Sequence, residues 1–206
     1  MEVGKLHYIS QAPPEGSHLT AIEKVLRSGG KWIQLRVKEQ SQEQVIKLAM
    51  EANCLCHEYG AKLIINDYAD IALHCGADGV HLGLDDMPVP EARAILGFGK
   101  YIGGTANTFE DVLKRVAEQV DYIGLGPFRF TTTKKNLSPV LGMEGYVHIL
   151  EQVKKAGITI PIIAIGGIEQ ADIEPILQTG IHGIAVSGLL ARENDINEEF
   201  YVNYSK

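Results

Sequence analysis

Eight short apolar runs alternate along this chain with longer segments of helical periodicity, and this alternation constrains the fold more than any other feature. A strand followed by a helix, repeated in this way, is typical of parallel βα units and not of a β-sandwich. Eight repeats within 206 residues predict an α/β fold, a single (β/α)8 TIM barrel, as one domain over residues 1–206. The predicted strands are Leu6–Ser10, Trp32–Arg36, Lys62–Asn66, Gly79–Leu82, Tyr101–Gly104, Tyr122–Gly126, Pro161–Ile165 and Gly183–Ser187.

Charge and composition narrow the classes of partner. The formal net charge of -7 argues against nucleic acid, which is usually met by a basic face. No stretch reaches the roughly 18 apolar residues of a membrane helix, and the first ten residues lack the apolar core of a secretory signal. We therefore expect a cytoplasmic protein that binds small molecules at a local site, with no membrane partner, and a homodimer is the candidate assembly.

Two cations follow the second predicted strand. Arg36 and Lys38 are two residues apart, on the same side of an extended segment, at the barrel end where catalytic loops gather. Two cations on one face suit a polyphosphate ligand. For this pair taken alone, a solvated basic surface is the alternative interpretation.

Two carboxylates follow the third and fourth predicted strands. Asp67 comes directly after one, and Asp86 lies in the loop after the other. Carboxylates from neighbouring loops close to Arg36 and Lys38 suit Mg²⁺ bound together with a diphosphate. The alternative for each aspartate is a cap at the start of the following helix.

Further phosphate donors are expected in the later loops. The long connection from Pro127 to Leu141 contains hydroxyl and ammonium groups in the run Thr131–Lys135, and loops of this length are usually functional. After strands seven and eight, Gly166-Gly167 and Ser187-Gly188 present backbone N–H groups in the manner of a barrel's monophosphate site. A polar surface loop and glycine turns without a ligand are the alternatives.

Taken together, these segments resemble thiamine phosphate synthases, in a superfamily shared with the thiazole tautomerases. The matching segments, in order, are QLRVK, LIINDYADIAL, GADGVHLG, DYIGLGPF, TTTKK and IPIIAIGGI. The resemblance implies a condensation of hydroxymethylpyrimidine diphosphate with thiazole phosphate, giving thiamine phosphate and diphosphate. It also implies Mg²⁺ and an early departure of the diphosphate that leaves a carbocation-like pyrimidine.

The resemblance assigns roles to residues that match the family's motifs. The expected diphosphate ligands are Arg36, Lys38, Asn66 and Lys134, and we expect Arg36, Lys38 and Lys134 to act in catalysis. The expected Mg²⁺ ligands are Asp67 and Asp86. The other expected substrate-binding residues are Gln34 and His81 beside the pyrimidine, the hydroxyl-bearing Thr105, and Thr131, Thr133, Gly167, Ser187 and Gly188 around the thiazole phosphate.

The chain departs from the family pattern at several positions. Tyr68 stands where arginine is frequent, Leu84 stands where glutamine is frequent, and Phe130 stands where proline is usual. Asn107 stands at the place of the histidine that thiazole tautomerases use as acid–base catalyst. A tautomerase-like enzyme and a non-catalytic paralogue that binds phosphate ligands are therefore the alternatives to a synthase.

Overall fold

The computed structural model describes residues 2–13, 16–130, 139–189 and 198–204. Within these ranges eight parallel strands close a barrel in which β1 pairs with both β2 and β8. The strands are β1 Leu6–Ile9, β2 Trp32–Leu35, β3 Lys62–Asn66, β4 Gly79–Leu82, β5 Tyr101–Ala106, β6 Tyr122–Leu125, β7 Ile162–Ile165 and β8 Gly183–Val186. The predicted (β/α)8 barrel is confirmed, and no strand end differs from its prediction by more than two residues.

Helices between the strands form the outer layer. They are α1 His18–Arg27, α2 Gln42–Glu58, α3 Ala69–His74, α4 Val89–Leu96, α5 Phe109–Ala117, α6 Gly142–Lys155, α7 Gln170–Gln178 and, near the C-terminus, α8 Glu198–Tyr204. Ser17, Ser41 and Thr108 begin three of them by accepting hydrogen bonds from backbone N–H groups of the first turn. Among the described residues, no helix combines the length and the apolar character that a membrane crossing needs.

The strands separate two cores by strict alternation. In β2, Ile33 and Leu35 belong to the large apolar core between strands and helices, whereas Trp32 belongs to a second cluster that also includes Tyr101 and Tyr122. Successive side chains of a strand point to opposite faces, so this second cluster fills the inside of the barrel. Side chains one step nearer the C-terminal ends of the strands are therefore placed at the barrel mouth.

An aromatic layer, which we call the barrel floor, closes the end opposite the mouth and consists of His7, Trp32, Tyr101 and Tyr122. The His7 ring stacks on Trp32 with centroids 4.6 Å apart and meets Tyr122 edge-on at 5.3 Å. His7 Nε2 donates to the carbonyl of Gly4 at 2.9 Å. Burial lowers the pKa of His7 to about 3, so the ring stays neutral in the folded protein.

The buried His7 predicts an acid-sensitive fold. An unfolded chain protonates this histidine below pH 6.5, whereas the folded chain does so only near pH 3, so stability present above pH 6.5 is lost as the pH falls. Between pH 7 and pH 5 the loss from this residue is about 2 kcal/mol. The amide of His7→Gln can still donate to Gly4 but does not titrate. Between pH 7 and pH 5 the free energy of unfolding of His7→Gln, measured with urea, should therefore fall by about 2 kcal/mol less than that of the wild type. Equal losses in both proteins would contradict the assignment.

Candidate active site

Cationic and acidic side chains meet where β2, β3 and β4 end. Lys38 Nζ lies 2.5 Å from Asp67 Oδ2, and the Asp86 carboxyl lies against that of Asp67. The Arg36 guanidinium is partly buried nearby and interacts electrostatically with the Asp67 carboxylate. The structure therefore brings together four residues that the sequence placed in one site, and we call this set the acidic–basic cluster.

Asp67 occupies an unusual conformation within the acidic–basic cluster. Its φ of 71° lies in the left-handed region, which aspartate tolerates better than most residues, and its N–H donates to the carbonyl of His81 at 2.9 Å. Burial raises the pKa of its carboxyl, the Lys38 ammonium lowers it, and Asp86 raises it. Glu39 and Gln119 also adopt this region, so the conformation of Asp67 supports a functional role only together with its contacts to Lys38 and Asp86.

Neither aspartate acts as a helix cap, which removes the alternative raised for each of them. Helix α3 begins after Tyr68 and helix α4 after Pro88, and neither helix takes a side-chain cap in the described chain. Asp86 Oδ2 instead accepts a hydrogen bond from the N–H of Gly83 at 2.6 Å. Both carboxylates are therefore held at the barrel mouth by contacts other than helix capping.

The acidic–basic cluster contains residues that could hold Mg²⁺. This ion usually takes one or two protein carboxylates and completes its shell with water and phosphate oxygens. Within the described ranges no group of three or more His, Cys, Asp or Glu side chains is arranged to hold a metal. The ammonium of Lys38 on Asp67 shows that this carboxylate already accommodates a cation. Asp67 and Asp86 thus fit Mg²⁺ together with a phosphate ligand.

A polar layer lies between the barrel floor and the mouth. Its members all belong to β2–β5 and are all buried: Gln34, Asn66, His81 and Thr105. His81 Nε2 lies 3.1 Å from Thr105 Oγ1, and His81 Nδ1 lies 3.2 Å from the hydroxyl of Tyr122. This layer places buried hydrogen-bonding groups beneath the barrel mouth.

Backbone donors occur at the ends of β7 and β8. Gly166 and Gly167 have φ values of 94° and 69°, which favour glycine. The N–H of Arg129 donates to Gly166 at 2.9 Å, whereas the N–H of Gly167 donates to no group in the part of the chain that is described. Ser187 follows β8, with its Oγ 3.5 Å from Gln11 Oε1, and Gly188 begins a helical turn. The predicted monophosphate residues are therefore neighbours across these two strands.

Three predicted site residues, Thr131, Thr133 and Lys134, lie outside the described residues. The chain on either side of them is well connected. Leu141 N donates to the carbonyl of Pro127 at 2.9 Å, and Arg129 Nη2 lies 2.6 Å from Asp172 Oδ1 at the start of α7. Both ends of the connection therefore lie beside the Gly166-Gly167 turn.

Comparisons with known proteins agree with this geometry. The sequence profile of thiamine monophosphate synthases matches residues 6–190. A thiamine-phosphate synthase from Flavobacterium johnsoniae is 50% identical over 206 residues, covering 97% of each chain. The chain belongs to the thiamine monophosphate synthase family. A thiamine-phosphate synthase from Bacteroides fragilis is 52% identical over 194 residues, covering 94% of this chain and 95% of its own.

A solved structure supports the same conclusion. The thiamine phosphate pyrophosphorylase from Pyrococcus furiosus superposes with a TM-score of 0.79 and 31% identity, covering 93% of this chain and 89% of that one. The resemblance seen in the sequence is confirmed, and the chain is an enzyme of the thiamine monophosphate synthase family.

The position of the tautomerase histidine has a different role in this member of the thiamine monophosphate synthase family. Asn107 is buried, and its side-chain amide donates to the carbonyl of Gly126 at the end of β6. Its backbone N–H donates to Asp111 Oδ2 at 2.9 Å. A carboxamide does not titrate near neutral pH, so Asn107 cannot act as an acid–base catalyst in the manner of histidine, and its side chain instead joins the ends of β5 and β6.

Two other departures from the thiamine monophosphate synthase pattern lie at the mouth. Tyr68 is 40% exposed and precedes α3, and Leu84 is partly buried in the β4–α4 loop. Sequence reasoning also missed Arg115, which is buried on α5 and contacts the same loop. The available signal was a charged residue on the same helix face as Val112, an apolar residue one turn earlier.

Proposed function

We propose that this enzyme condenses hydroxymethylpyrimidine diphosphate with thiazole phosphate, with Mg²⁺, to give thiamine phosphate and diphosphate. The observation that carries this proposal is the acidic–basic cluster, in which Asp67 contacts both Lys38 and Asp86 beside Arg36. Two carboxylates with two cations match a metal-bound diphosphate better than a monophosphate. A monophosphate binder alone would have no use for the carboxylates.

The arrangement of the barrel supports two phosphate-bearing substrates. The acidic–basic cluster follows β2–β4, whereas the Gly166-Gly167 turn and Ser187 follow β7 and β8, on the opposite side of an eight-strand ring. The polar layer with His81 and Thr105 lies between these two sides. A diphosphate at one side and a monophosphate at the other would place the pyrimidine and the thiazole next to each other above that layer.

The reaction requires little acid–base chemistry from the protein. The thiazole nitrogen forms a bond to the pyrimidine methylene carbon, the bond from that carbon to the diphosphate oxygen breaks, and its electron pair leaves with the diphosphate. Arg36 and Lys38 would neutralise the charge that develops on the departing oxygens. Lys134 is proposed to do the same from the 127–141 connection. Mg²⁺ held by Asp67 and Asp86 would add charge neutralisation to the leaving group.

The remaining assigned residues would bind and orient the substrates. Gln34, Asn66, His81 and Thr105 form the buried polar layer below the reacting atoms. Gly167, Ser187 and Gly188 would donate to the thiazole phosphate, together with Thr131 and Thr133. Holding both rings in contact converts a bimolecular displacement into a step within one complex.

The test of the proposed function is formation of thiamine phosphate by the purified protein. The protein receives both substrates with Mg²⁺, and a parallel reaction contains excess EDTA. Product that depends on the metal is the expected result. Folded protein that binds either phosphate compound but forms no product in this assay would contradict the proposal.

Asn107 separates the synthase from the tautomerase alternative. Asn107→Ala leaves the carbonyl of Gly126 without its donor, so we expect a loss of about 1–2 kcal/mol in the free energy of unfolding. Thiamine phosphate formation should change less than about threefold, because no proton is transferred by this amide. Urea unfolding and steady-state kinetics measure the two effects. Isomerisation of a thiazole phosphate by the wild type that Asn107→Ala abolishes would support the tautomerase instead.

A further inference from the structure

Arg115 is a buried cation that none of the proposed catalytic roles uses. The residue lies on the inner face of α5 and is 2% exposed. Its guanidinium donates from Nε to the carbonyl of Thr105 at 3.0 Å, from Nη2 to the carbonyl of Gly83 at 2.8 Å, and from Nη1 to Glu118 Oε2 at 2.8 Å. Arginine is rarely buried unless it is paired in this way.

The barrel wall provides space for this side chain through the absence of another. A Cβ atom at Gly104 would lie 2.7 Å from Arg115 Cδ and 2.9 Å from Arg115 Nε. Gly104 lies in β5 directly before Thr105, at a strand position that faces the helices. The glycine in the strand and the arginine on the helix are therefore complementary in shape. The space at Gly104 allows the guanidinium to lie at the C-terminal ends of β4 and β5.

One of the two carbonyls leads directly to the proposed metal ligands. Gly83 accepts from Arg115 through its carbonyl, and its N–H donates to Asp86 Oδ2 at 2.6 Å. Asp86 in turn contacts Asp67, which holds Lys38 at 2.5 Å. A continuous series of contacts thus connects the guanidinium to the acidic–basic cluster.

The other carbonyl leads to the polar layer. Thr105 accepts from Arg115 through its backbone oxygen, while its Oγ1 lies 3.1 Å from His81 Nε2. One planar guanidinium therefore fixes the spacing between the loop that carries Asp86 and the end of the strand that carries Thr105. Geometry of this kind, with a rigid group joining two backbone segments, suits arginine and not lysine.

We propose that Arg115 is a positioning residue that holds Asp86 and Thr105 in place for the metal diphosphate. This inference rests on the proposed function, because the proposed function is what makes the acidic–basic cluster a binding site for Mg²⁺-diphosphate. Removing an outer-shell group that orients a metal ligand typically lowers metal affinity or activity by about 10- to 100-fold. Arg115 acts through the β4–α4 loop and β5, and touches neither substrate.

A second arginine, which is partly buried, provides a matched control. Arg93 on α4 donates to the carbonyls of Gly97 and Lys100 and pairs with Asp121 at 2.7 Å. These contacts resemble those of Arg115 in number and kind, but they lie at the end of the barrel where β5 and β6 begin. Arg93→Met therefore reports the cost of losing a structural arginine away from the mouth.

The experiment compares Arg115→Met, Arg115→Lys and Arg93→Met with the wild type. Calorimetry measures the binding of inorganic diphosphate with Mg²⁺, and steady-state kinetics measure KM for each substrate. Arg115→Met should bind Mg²⁺-diphosphate about 10- to 100-fold more weakly and raise KM for the pyrimidine diphosphate, with KM for thiazole phosphate nearly unchanged. Arg115→Lys should recover part of this loss, and Arg93→Met should match the wild type in both measurements.

Gly104→Ala keeps the proposal testable if Arg115→Met does not fold. The added methyl group displaces the guanidinium but removes none of its atoms, so the same selective change in Mg²⁺-diphosphate binding is expected. Equal Mg²⁺-diphosphate affinity in wild type, Gly104→Ala and Arg115→Lys would overturn the positioning role, whatever the stability changes. So would a wild type that binds no Mg²⁺-diphosphate.

Failure of the proposed function gives a different result. A wild type that forms no thiamine phosphate but binds Mg²⁺-diphosphate would refute the condensation. The calorimetric comparison would still decide the role of Arg115. Product formation with unchanged Mg²⁺-diphosphate affinity in the Arg115 variants would refute the positioning role alone.

Discussion

Asp86→Asn is expected to lower kcat/KM for thiamine phosphate formation by about 100- to 1,000-fold, equivalent to about 3–4 kcal/mol of transition-state stabilisation. The amide can still accept from Gly83 N–H, so the local contact is retained while the negative charge is lost. The fall therefore reports the charge and not the fold of the loop. Steady-state kinetics at several Mg²⁺ concentrations measure it, and the Mg²⁺ concentration for half-maximal rate should rise.

Asparagine is also the informative replacement at position 67. The φ of 71° favours asparagine over alanine, so Asp67→Asn avoids the backbone strain that Asp67→Ala would add. Because the two carboxylates are expected to act on one ion, the double variant should be little worse than either single variant. Losses that add fully in the double variant would argue for two independent roles.

The neighbouring residue provides the control for this experiment. Asp85 is an exposed carboxylate directly before Asp86, so Asp85→Asn makes the same change in net charge in the same loop. We expect its kcat/KM to stay within about twofold of the wild type. Asp85 makes no hydrogen bond or ion pair among the described residues, whereas Asp86 accepts from Gly83. If Asp85→Asn and Asp86→Asn lost activity equally, the metal assignment at Asp86 would be wrong.

The strands and the location of the site were predictable because both depend on short-range patterns. Each apolar run of about five residues ends where a polar residue or glycine begins, as at Asn66-Asp67 and Gly166-Gly167. Parallel strands bring their C-terminal ends to one edge, so residues after different strands become neighbours without any knowledge of their packing. Lys38, Asp67 and Asp86 meet in the structure for this reason.

Contacts between the strands and the helices outside them were not predictable in the same way. The sequence could not exclude helix capping by Asp67, because the contact that accompanies its left-handed backbone is a hydrogen bond from its N–H to the carbonyl of His81 on another strand. The role of Arg115 depends on space left at Gly104, eleven residues earlier and on another element. Charge at a buried helix position signals that a partner exists, but only the structure identifies the carbonyls of Gly83 and Thr105.

Gly103→Ala is expected to lower the free energy of unfolding by about 3 kcal/mol, the upper part of the usual range for overpacking a core. A Cβ atom at this position would lie 2.2 Å from Tyr122 Cζ and 2.5 Å from His81 Nδ1. Both neighbours are buried inside the barrel, so neither can move aside freely. A glycine within a strand signals such a close approach, which makes this one of the few interior contacts that the sequence suggests.

The same substitution should also impair catalysis, because His81 links the barrel floor to the polar layer. Displacing its ring from Tyr122 also displaces Nε2 from Thr105, which lies 3.1 Å away, so KM for the pyrimidine diphosphate should rise in protein that is still folded. Urea unfolding and kinetics below the unfolding transition separate the two effects. A loss of stability with unchanged KM would show that the polar layer does not bind the pyrimidine.

Gly99→Ala makes the same chemical change where the added methyl group has no neighbour. A Cβ atom at position 99 would meet none of the described atoms within 4 Å, and its backbone is not in the left-handed region. We expect a gain of about 0.4–1 kcal/mol, since alanine restricts the unfolded chain more than glycine does. The backbone effect of replacing glycine is common to both variants. If the free energy of unfolding rises for Gly99→Ala and falls for Gly103→Ala, the fall is due to the contact with His81 and Tyr122.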